Sequence, residues 1–211
     1  MPRVTACLLC FTGNMLGGKS TQVGVAVTKP TLVEVGMAGW YGAPSHNRVA
    51  SNGEVYDGNA MTAAHPTLPL GSIARITNLK TGRSTIVQIT DRSPLVSGRI
   101  VDLSLAAAKA VDVYLPGTAP VRLDLLEPRS RLHTGGRWAV QMGPFAGEKG
   151  ASIVADHLTR RYHTANVAKF AGPTDTWWVW VRVLDDDRHR AEWLARENGI
   201  EEGSVFVVRL D

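Results

Sequence analysis

The sequence is poor in cysteine, in clustered positive charge and in long apolar runs, and each shortage excludes a class of protein. Both cysteines, Cys7 and Cys10, lie near the start, so the rest of the chain can form neither a disulfide framework nor a cysteine-based metal site. No run approaches the roughly 20 apolar residues that a membrane-spanning helix needs. Three units of the net charge of +4 come from Arg3, Lys19 and Lys29, in a stretch without acids. No later region gathers lysine and arginine, which argues against nucleic-acid binding.

Residues 1–33 are predicted to be an N-terminal lead or the remnant of a signal peptide. Val4, Thr5, Ala6 and Cys7 resemble a lipoprotein processing box, which would place a lipid on Cys7. Only six residues precede Cys7, which is short for a signal peptide. Two interpretations stay open: the natural start lies upstream, or the match is due to chance.

Residues 34–127 have the pattern of a small β-barrel, with short strands broken by glycine, proline and asparagine and with one helix. A hairpin is predicted over Ser72 to Thr90, because β-branched residues flank a turn in which Gly82 can adopt a positive φ. Ser104 is placed to cap an alanine-rich helix that follows it.

Residues 128–136 are polar and contain one proline and two glycines, and they are predicted to be a linker. The pattern of residues 137–211 then predicts strands and helices in the order βαββαβ. The acidic run Asp185 to Asp187 precedes the second helix, where negative charge suits the positive end of the helix dipole.

Five ionisable residues lie near turns and strand ends of the first region, where barrels carry their sites: Glu54, Asp57, His65, Asp91 and Asp102. Cleavage of a glycosidic bond needs an acid and, in most enzymes, a second carboxylate. The neighbouring rings of Trp40 and Tyr41 can stack on the apolar faces of sugars.

Each of these acids also has a purely structural interpretation. Asp102 can stabilise the dipole of the helix capped by Ser104, and Asp91 can form a turn or a local ion pair with Arg92. Glu54 and Asp57 can be solvated loop acids, and His65 can hydrogen-bond the backbone of its own turn. Spacing alone leaves these alternatives open.

Several short motifs occur in order between Val35 and Leu126. They are Gly39-Trp40-Tyr41-Gly42, Asn52-Gly53-Glu54, Thr62-Ala63-Ala64-His65, Leu68-Pro69-Leu70-Gly71, Asp91-Arg92 with Pro94, and Val101-Asp102-Leu103-Ser104. This succession resembles the rare lipoprotein A family, whose catalytic domain is an all-β, six-stranded double-psi β-barrel. The chain departs from that family at Ser93, where glycine is usual, and at Gly39, where serine is common.

Residues 137–211 resemble the sporulation-related repeat, an α+β domain with an RNP-like βαββαβ order that binds glycan strands lacking stem peptides. Trp138, Val140, Gln141, Gly143 and Phe145 match its first strand. The chain departs after Val183, where the family often has Gly, Pro and Phe. Alternation along a strand puts Trp178 and Trp180 on one face and Trp177 on the other, so the three rings cannot line one surface.

The resemblance implies an endolytic lytic transglycosylase, which cleaves between N-acetylmuramic acid and N-acetylglucosamine and leaves a 1,6-anhydro end. The same resemblance implies that Asp91 or Asp102 is the general acid, and that Glu54, Asp57 and His65 position the sugar or tune the pKa of the acid. The residues expected to contact glycan are Trp40, Tyr41, Arg99, Gln141, Phe145 and Trp178. No cofactor or metal is expected.

The implied partner is peptidoglycan whose glycan strands have lost their peptides, in the periplasm or cell envelope, at the septum, with attachment to the outer membrane through Cys7 as an option. Two other functions fit the same residues. One is an expansin-like protein that grips and loosens glycan without cleaving it. In the other, the barrel is an inert scaffold and the C-terminal region does the work.

Overall fold

The computed structural model describes residues 29–42, 48–92, 98–132, 135–170, 176–200 and 203–211. Cys7 and Ser93, on which two expectations rest, lie outside the described residues. Two separate clusters of buried apolar residues are present, one inside the first half of the chain and one in the second half.

Six strands of the first half close into a barrel, in the order β1-β5-β2-β4-β3-β6. The strands are β1 Leu32–Trp40, β2 Thr62–Ala64, β3 Ile73–Asn78, β4 Ser84–Asp91, β5 Arg99–Leu103 and β6 Ala119–Glu127. The β1/β5 and β2/β4 pairs are parallel and the other pairs are antiparallel. The predicted six-stranded barrel is therefore confirmed.

Local sequence signals account for the hairpin and the helix of the barrel. Strands β3 and β4 form the predicted hairpin, and Gly82 in its turn has φ +74°. Helix α1 (Leu105–Ala110) begins where the Ser104 hydroxyl accepts the N–H of Ala107 at 3.1 Å. Buried Ala107 and Ala108 let α1 pack closely on the barrel.

The second half forms a four-stranded antiparallel sheet with two helices, in the predicted order βαββαβ. Its elements are β7 Trp138–Phe145, α2 Glu148–Thr159, β8 Ala165–Phe170, β9 Thr176–Arg182, α3 Arg188–Glu197 and β10 Ser204–Arg209. Within the described residues, no helix is both long and apolar enough to span a bilayer.

The three acids of the run before α3 have different roles. Asp187 is the N-cap of α3, and its carboxylate accepts the N–H of His189 at 2.8 Å. Asp185 and Asp186 form a 3-10 turn with positive φ and lie 3.5 Å from Arg190 and Arg182. Asp187 therefore caps the helix, while Asp185 and Asp186 lie in the turn before it and pair with arginines.

Candidate functional site

Two acids predicted from the sequence lie in one row across four neighbouring barrel strands. Asp91 at the end of β4 pairs with Ala64 on β2, Ala64 also pairs with Asp102 on β5, and Asp102 pairs with Gly39 on β1. Directly paired residues share a face of a sheet. We call these four residues the acid row. Because adjacent strands are about 4.8 Å apart, the Cα atoms of the two acids are separated by about 10 Å.

Asp91 accepts hydrogen bonds at both carboxylate oxygens. Its Oδ2 accepts the hydroxyl of Tyr41 at 3.1 Å. Its Oδ1 accepts the hydroxyl of Ser51 at 2.6 Å, the N–H of Ser51 at 3.0 Å and the N–H of Arg92 at 2.7 Å. These donors come from three separate segments, so they fix the orientation of the carboxylate.

The loop that carries Glu54 is attached to the same strand end as Asp91. Ser51 contacts the Asp91 carboxylate, and the N–H of Asn52 donates to Thr90 O at 3.1 Å. Glu54 is exposed at the tip of this loop, where its Oε2 accepts the side-chain amide of Asn52 at 2.7 Å. The structure thus brings Glu54 to the neighbourhood of Asp91 as a solvated loop acid.

Asp57 is exposed a little further along, and its Oδ1 accepts the N–H of Asn59 at 2.9 Å. Asp57 and Asp91 both raise the pKa of the Tyr56 hydroxyl through their charge, although burial is the largest cause of that rise. The Tyr56 hydroxyl is therefore close enough to both acids to sense their charge.

Asp102 is 6% exposed and its Oδ1 accepts Nη1 of Arg99 at 3.1 Å. Burial raises the pKa of the Asp102 carboxyl, while the charge and hydrogen bond of Arg99 oppose that rise. Gly39 provides the space for this pair, because a Cβ there would lie 2.3 Å from Nη1 of Arg99 and 2.7 Å from Oδ1 of Asp102. The absence of a side chain at position 39 thus permits the ion pair.

An aromatic cleft of about 300 Å³ opens beside the acid row. Its lining residues are Trp40, Tyr41, Gly42, Tyr56, Gly58, Leu105 and Tyr114. The rings of Tyr41 and Tyr56 are 5.0 Å apart, as are those of Trp40 and Tyr114. Since the Tyr41 hydroxyl contacts Asp91, the acid lies beside a cleft walled by aromatic faces, which is a surface suited to sugar rings.

His65 is 2% exposed and both of its ring nitrogens are engaged inside the protein. Nδ1 accepts the N–H groups of Thr67 and Leu68 at 3.2 and 3.1 Å, so the ring proton of the neutral imidazole lies on Nε2, 3.1 Å from Glu34 Oε2. Burial lowers the pKa of His65, and the hydrogen bond to His65 lowers the pKa of Glu34. The pair is therefore a neutral histidine donating to a carboxylate, underneath the strand end and not in the cleft.

The three expected glycan contacts of the second half do not share one surface. Gln141 pairs with Trp180 on β9 and with Phe206 on β10, and it lies on the sheet face away from the helices. Trp178 is 3% exposed and its ring is 6.3 Å from Phe206. Phe145 instead packs against the cluster under the helices, together with Trp177. A register shift between Met142 and Phe145 accompanies this change of face.

Among the described residues, no group of three or more His, Cys, Asp or Glu side chains is arranged to hold a metal ion. The ionisable side chains of the acid row are engaged with donors of the protein itself.

Comparison with known proteins identifies the family. A family model described as lytic transglycolase matches residues 33–123, which cover the barrel. The endolytic peptidoglycan transglycosylase RlpA of Helicobacter pylori strain J99 is 34% identical over 210 residues, covering 84% of this chain and 67% of that protein. This chain belongs to the rare lipoprotein A family. The family membership inferred from the motifs is thereby confirmed.

Two further relatives are also similar in sequence over a large part of this chain. The RlpA protein of Campylobacter jejuni is 36% identical over 168 residues, covering 65% of this chain and 61% of that protein. The RlpA protein of Vibrio cholerae is 45% identical over 120 residues, covering 55% and 44%. The chain thus spans about two thirds or less of the length of these relatives.

Among solved structures, an expansin of Clavibacter michiganensis aligns with 84% of this chain and 90% of its own, at 16% identity and a TM-score of 0.37. A Streptomyces papain inhibitor aligns with 47% of this chain and 99% of its own, at 17% identity and a TM-score of 0.38. Similarities of this size support no conclusion about the site.

Sequence reasoning missed several residues of the site. Ser51 and Tyr56 flank the Asn52-Gly53-Glu54 motif, so their place in the same loop was an available signal. Tyr114 follows α1 at a distance in sequence from every motif, and nothing in the local pattern assigns it to the cleft. The sequence also contains no indication that Glu34 pairs with His65, because the two residues are brought together only when the barrel closes.

Proposed function

We propose that this protein is an endolytic peptidoglycan transglycosylase, which cleaves the bond between N-acetylmuramic acid and N-acetylglucosamine and leaves a 1,6-anhydro end. The observation that carries the proposal is the acid row beside the aromatic cleft. It supplies two carboxyl groups on one face together with aromatic walls for sugar rings. The names of the relatives, all RlpA transglycosylases, support the same chemistry.

The reaction needs one proton donor and no water. A carboxylic acid protonates the glycosidic oxygen as its bond to C1 breaks, and the 6-hydroxyl oxygen of the same muramic acid forms a new bond to C1. The proton of that hydroxyl then passes to the carboxylate, which restores the acid. General acid catalysis of this kind contributes roughly 10²- to 10⁴-fold in rate.

In this proposal Asp91 is the residue that exchanges the proton with the sugar. It is half-buried beside the cleft, whereas the Asp102 side chain is 9% exposed and engaged by Arg99. A general acid must come within hydrogen-bonding reach of the glycosidic oxygen, so accessibility favours Asp91. Asp102 holds Arg99, whose side chain is 25% exposed and carries further N–H groups that can donate to a sugar. Glu54 and Asp57, on the loop that also carries Tyr56 of the cleft, are the sugar-positioning acids in this proposal, and His65 supports the strand end from below.

The test is digestion of purified, peptide-free glycan followed by mass spectrometry of the products. We expect fragments lighter than hydrolysis products by one molecule of water. Asp91→Asn should reduce their release by roughly 10²-fold or more, and Asp102→Asn by less. Asp112→Asn is the matched control, since Asp112 lies remote from the acid row and its positive φ of 56° is tolerated by asparagine.

The outcomes separate the competing functions. Hydrated reducing ends would mean a hydrolase, and binding to glycan with no soluble fragments would mean an expansin-like loosening protein. Full activity of Asp91→Asn would refute the assignment of the acid.

We further propose that the second half is a sporulation-related repeat that binds peptide-free glycan. In this proposal residues 34–127 are the catalytic domain, 128–136 the linker and 137–211 the binding domain. Support comes from the βαββαβ order and from the sheet face opposite the helices, which carries aromatic rings. Gln141, 1% exposed on that face, has no hydrogen-bond partner for its Nε2 among the described residues.

Sedimentation with purified sacculi tests this binding face. Trp180→Ala should weaken binding by about tenfold, since stacking aromatics contribute strongly to sugar contacts. Trp193→Ala on α3, a residue that is 39% exposed on the helix side, is the matched control. Equal binding by both variants would place the glycan elsewhere. The cell envelope, the septum and a lipid on Cys7 are the location and anchorage that accompany this function.

A further inference from the structure

The end of the second half lies directly against the barrel. The N–H of Arg209 donates to Pro66 O at 2.8 Å, and the N–H of Leu70 donates to Asp211 O at 3.3 Å. We call this boundary the seam, formed by the 66–70 turn and Arg92 on the barrel side and by Arg209 and Asp211 on the other. In one of these two backbone hydrogen bonds the second half donates, and in the other the barrel donates. Each half therefore provides a partner for a backbone polar group of the other.

Arg92 lies at the centre of the seam and is 4% exposed. Toward the second half, its Nε donates to Arg209 O at 2.5 Å and its Nη2 to Asp211 O at 3.1 Å. Toward the barrel, its Nη1 donates to His65 O at 2.8 Å and its Nη2 donates to Leu68 O. With a longer contact from Nη1 to Asp91 O at 3.4 Å, one planar guanidinium joins five backbone oxygens from both halves, a geometry that lysine cannot reproduce.

The backbone of Arg92 reaches the proposed acid. Its N–H donates to Asp91 Oδ1 at 2.7 Å and to Ser51 Oγ at 3.0 Å. On the other side of the same peptide, Asp91 O accepts the N–H of His65 at 3.1 Å. The side chain of Arg92 is thus fixed in the seam while its amide orients the Asp91 carboxylate.

Arg209 is the second buried guanidinium of the seam, at 1% exposed. It donates to Arg131 O at 2.8 Å, to Ser130 Oγ at 2.9 Å and to Asp211 Oδ1 at 3.1 Å. It packs where a Cβ on Gly136 would lie 2.7 Å from it. Burial first, and the charge of Arg209 second, lower the pKa of Arg92 to about 10. Two buried cations are tolerated only while their acceptors stay in place, so opening the seam is costly.

We propose that Arg92 is a positioning residue for Asp91, and that strand β10 of the second half helps to hold the Asp91 carboxylate in place through its contact with Arg92. The closed seam holds the 91–92 peptide, and that peptide holds the carboxylate beside the cleft. The effect on turnover rests on the proposed function, whereas the effect on Asp91 geometry does not.

The experiment uses the full chain and four variants. Arg92→Lys breaks the seam from the barrel side, Arg209→Lys from the other side, and Ser130→Ala removes one acceptor of Arg209 as a mild change. Arg83→Lys is the control, since the Arg83 side chain is 62% exposed and pairs only weakly with Asp112 at the surface.

Three readouts are expected to move together in the seam variants. Hydrogen exchange at the amides of Leu70 and Arg209 should accelerate by about tenfold or more. The amide resonance of Ser51, which donates to Asp91, should shift. The kcat on peptide-free glycan should fall by roughly 10- to 100-fold with little change in KM, because a displaced catalytic group loses rate more than binding. Ser130→Ala should give smaller changes of the same sign.

The opposite pattern would overturn the proposal. If Arg209→Lys or Ser130→Ala accelerates exchange at the seam while the Ser51 resonance and kcat stay as in the unmodified protein, the second half does not support Asp91. An unshifted Ser51 resonance in Arg92→Lys would do the same. If the unmodified protein releases no anhydro products, the proposed function fails, and the Ser51 resonance still decides the inference.

Discussion

Replacement of Gly39 by alanine tests the electrostatics of the acid row. The new Cβ would lie 2.3 Å from Nη1 and 2.6 Å from Cζ of Arg99, so the guanidinium must leave its place over the strand. Asp102 then stays buried without its cation. Losing one partner of a buried ion pair costs about 3–5 kcal/mol, but Asp102 can take up a proton and Arg99 is partly exposed. We therefore expect a loss of about 2 kcal/mol in the free energy of unfolding at pH 7.

The pH dependence of that loss has a definite sign. Burial already raises the pKa of Asp102 above 3.8, and removal of Arg99 raises it further. The folded variant then binds this proton more tightly than the unfolded chain, so the loss shrinks as the pH is lowered. Urea denaturation at pH 7 and pH 5 measures it.

The control for this experiment is Gly199→Ala, because among the described residues, its chain neighbours aside, no atom lies within 4 Å of the position of a Cβ there. Adding Gly39→Ala to an Arg99→Ala background should cost less than adding it to the unmodified protein, since the guanidinium is already absent and only the contact of the new Cβ with Oδ1 of Asp102 at 2.7 Å remains. Equal stability of Gly39→Ala and the unmodified protein, with the Arg99–Asp102 contact retained in a structure of the variant, would refute the reasoning.

Three further predictions concern single contacts. Tyr41→Phe keeps the aromatic wall but removes the hydroxyl that contacts Asp91, so kcat should fall by about tenfold with KM little changed. An unaltered kcat would mean that this hydrogen bond does not orient the acid. His65 is buried and neutral with a lowered pKa, so as the pH drops below 6.5 the unfolded chain takes up a proton before the folded protein does, and the free energy of unfolding decreases. In a urea-denaturation series, His65→Gln should make the free energy of unfolding less dependent on pH in that range, and an unchanged dependence would contradict this account. Ser104→Ala removes the cap of Ala107 and should cost about 1–2 kcal/mol by thermal unfolding, with loss of helix α1 but not of the barrel; no change in stability would mean that the cap is dispensable.

The choice between the two acids shows where sequence reasoning ends. The motifs name Asp91 and Asp102 equally, and local rules offer each a structural role in a turn or at a helix dipole. The structure gives the cap of α1 to Ser104 and the partnership of Asp102 to Arg99, three residues earlier on the same strand. Asp91 is surrounded by donors that come from three separate segments.

The sequence by itself determined what depends on neighbours along the chain: the β3/β4 hairpin around Gly82, helix α1 after Ser104, the βαββαβ order and the family motifs. Turn geometry, capping and periodicity act over a few residues, so they can be inferred from local pattern. Only the tertiary structure decided that Ala64 lies between Asp91 and Asp102, that Tyr114 lines the cleft, that Glu34 pairs with His65, and that Arg92 contacts Arg209 and Asp211. Those contacts join residues far apart in sequence, and they exist because closure of the barrel and docking of β10 bring distant backbone together.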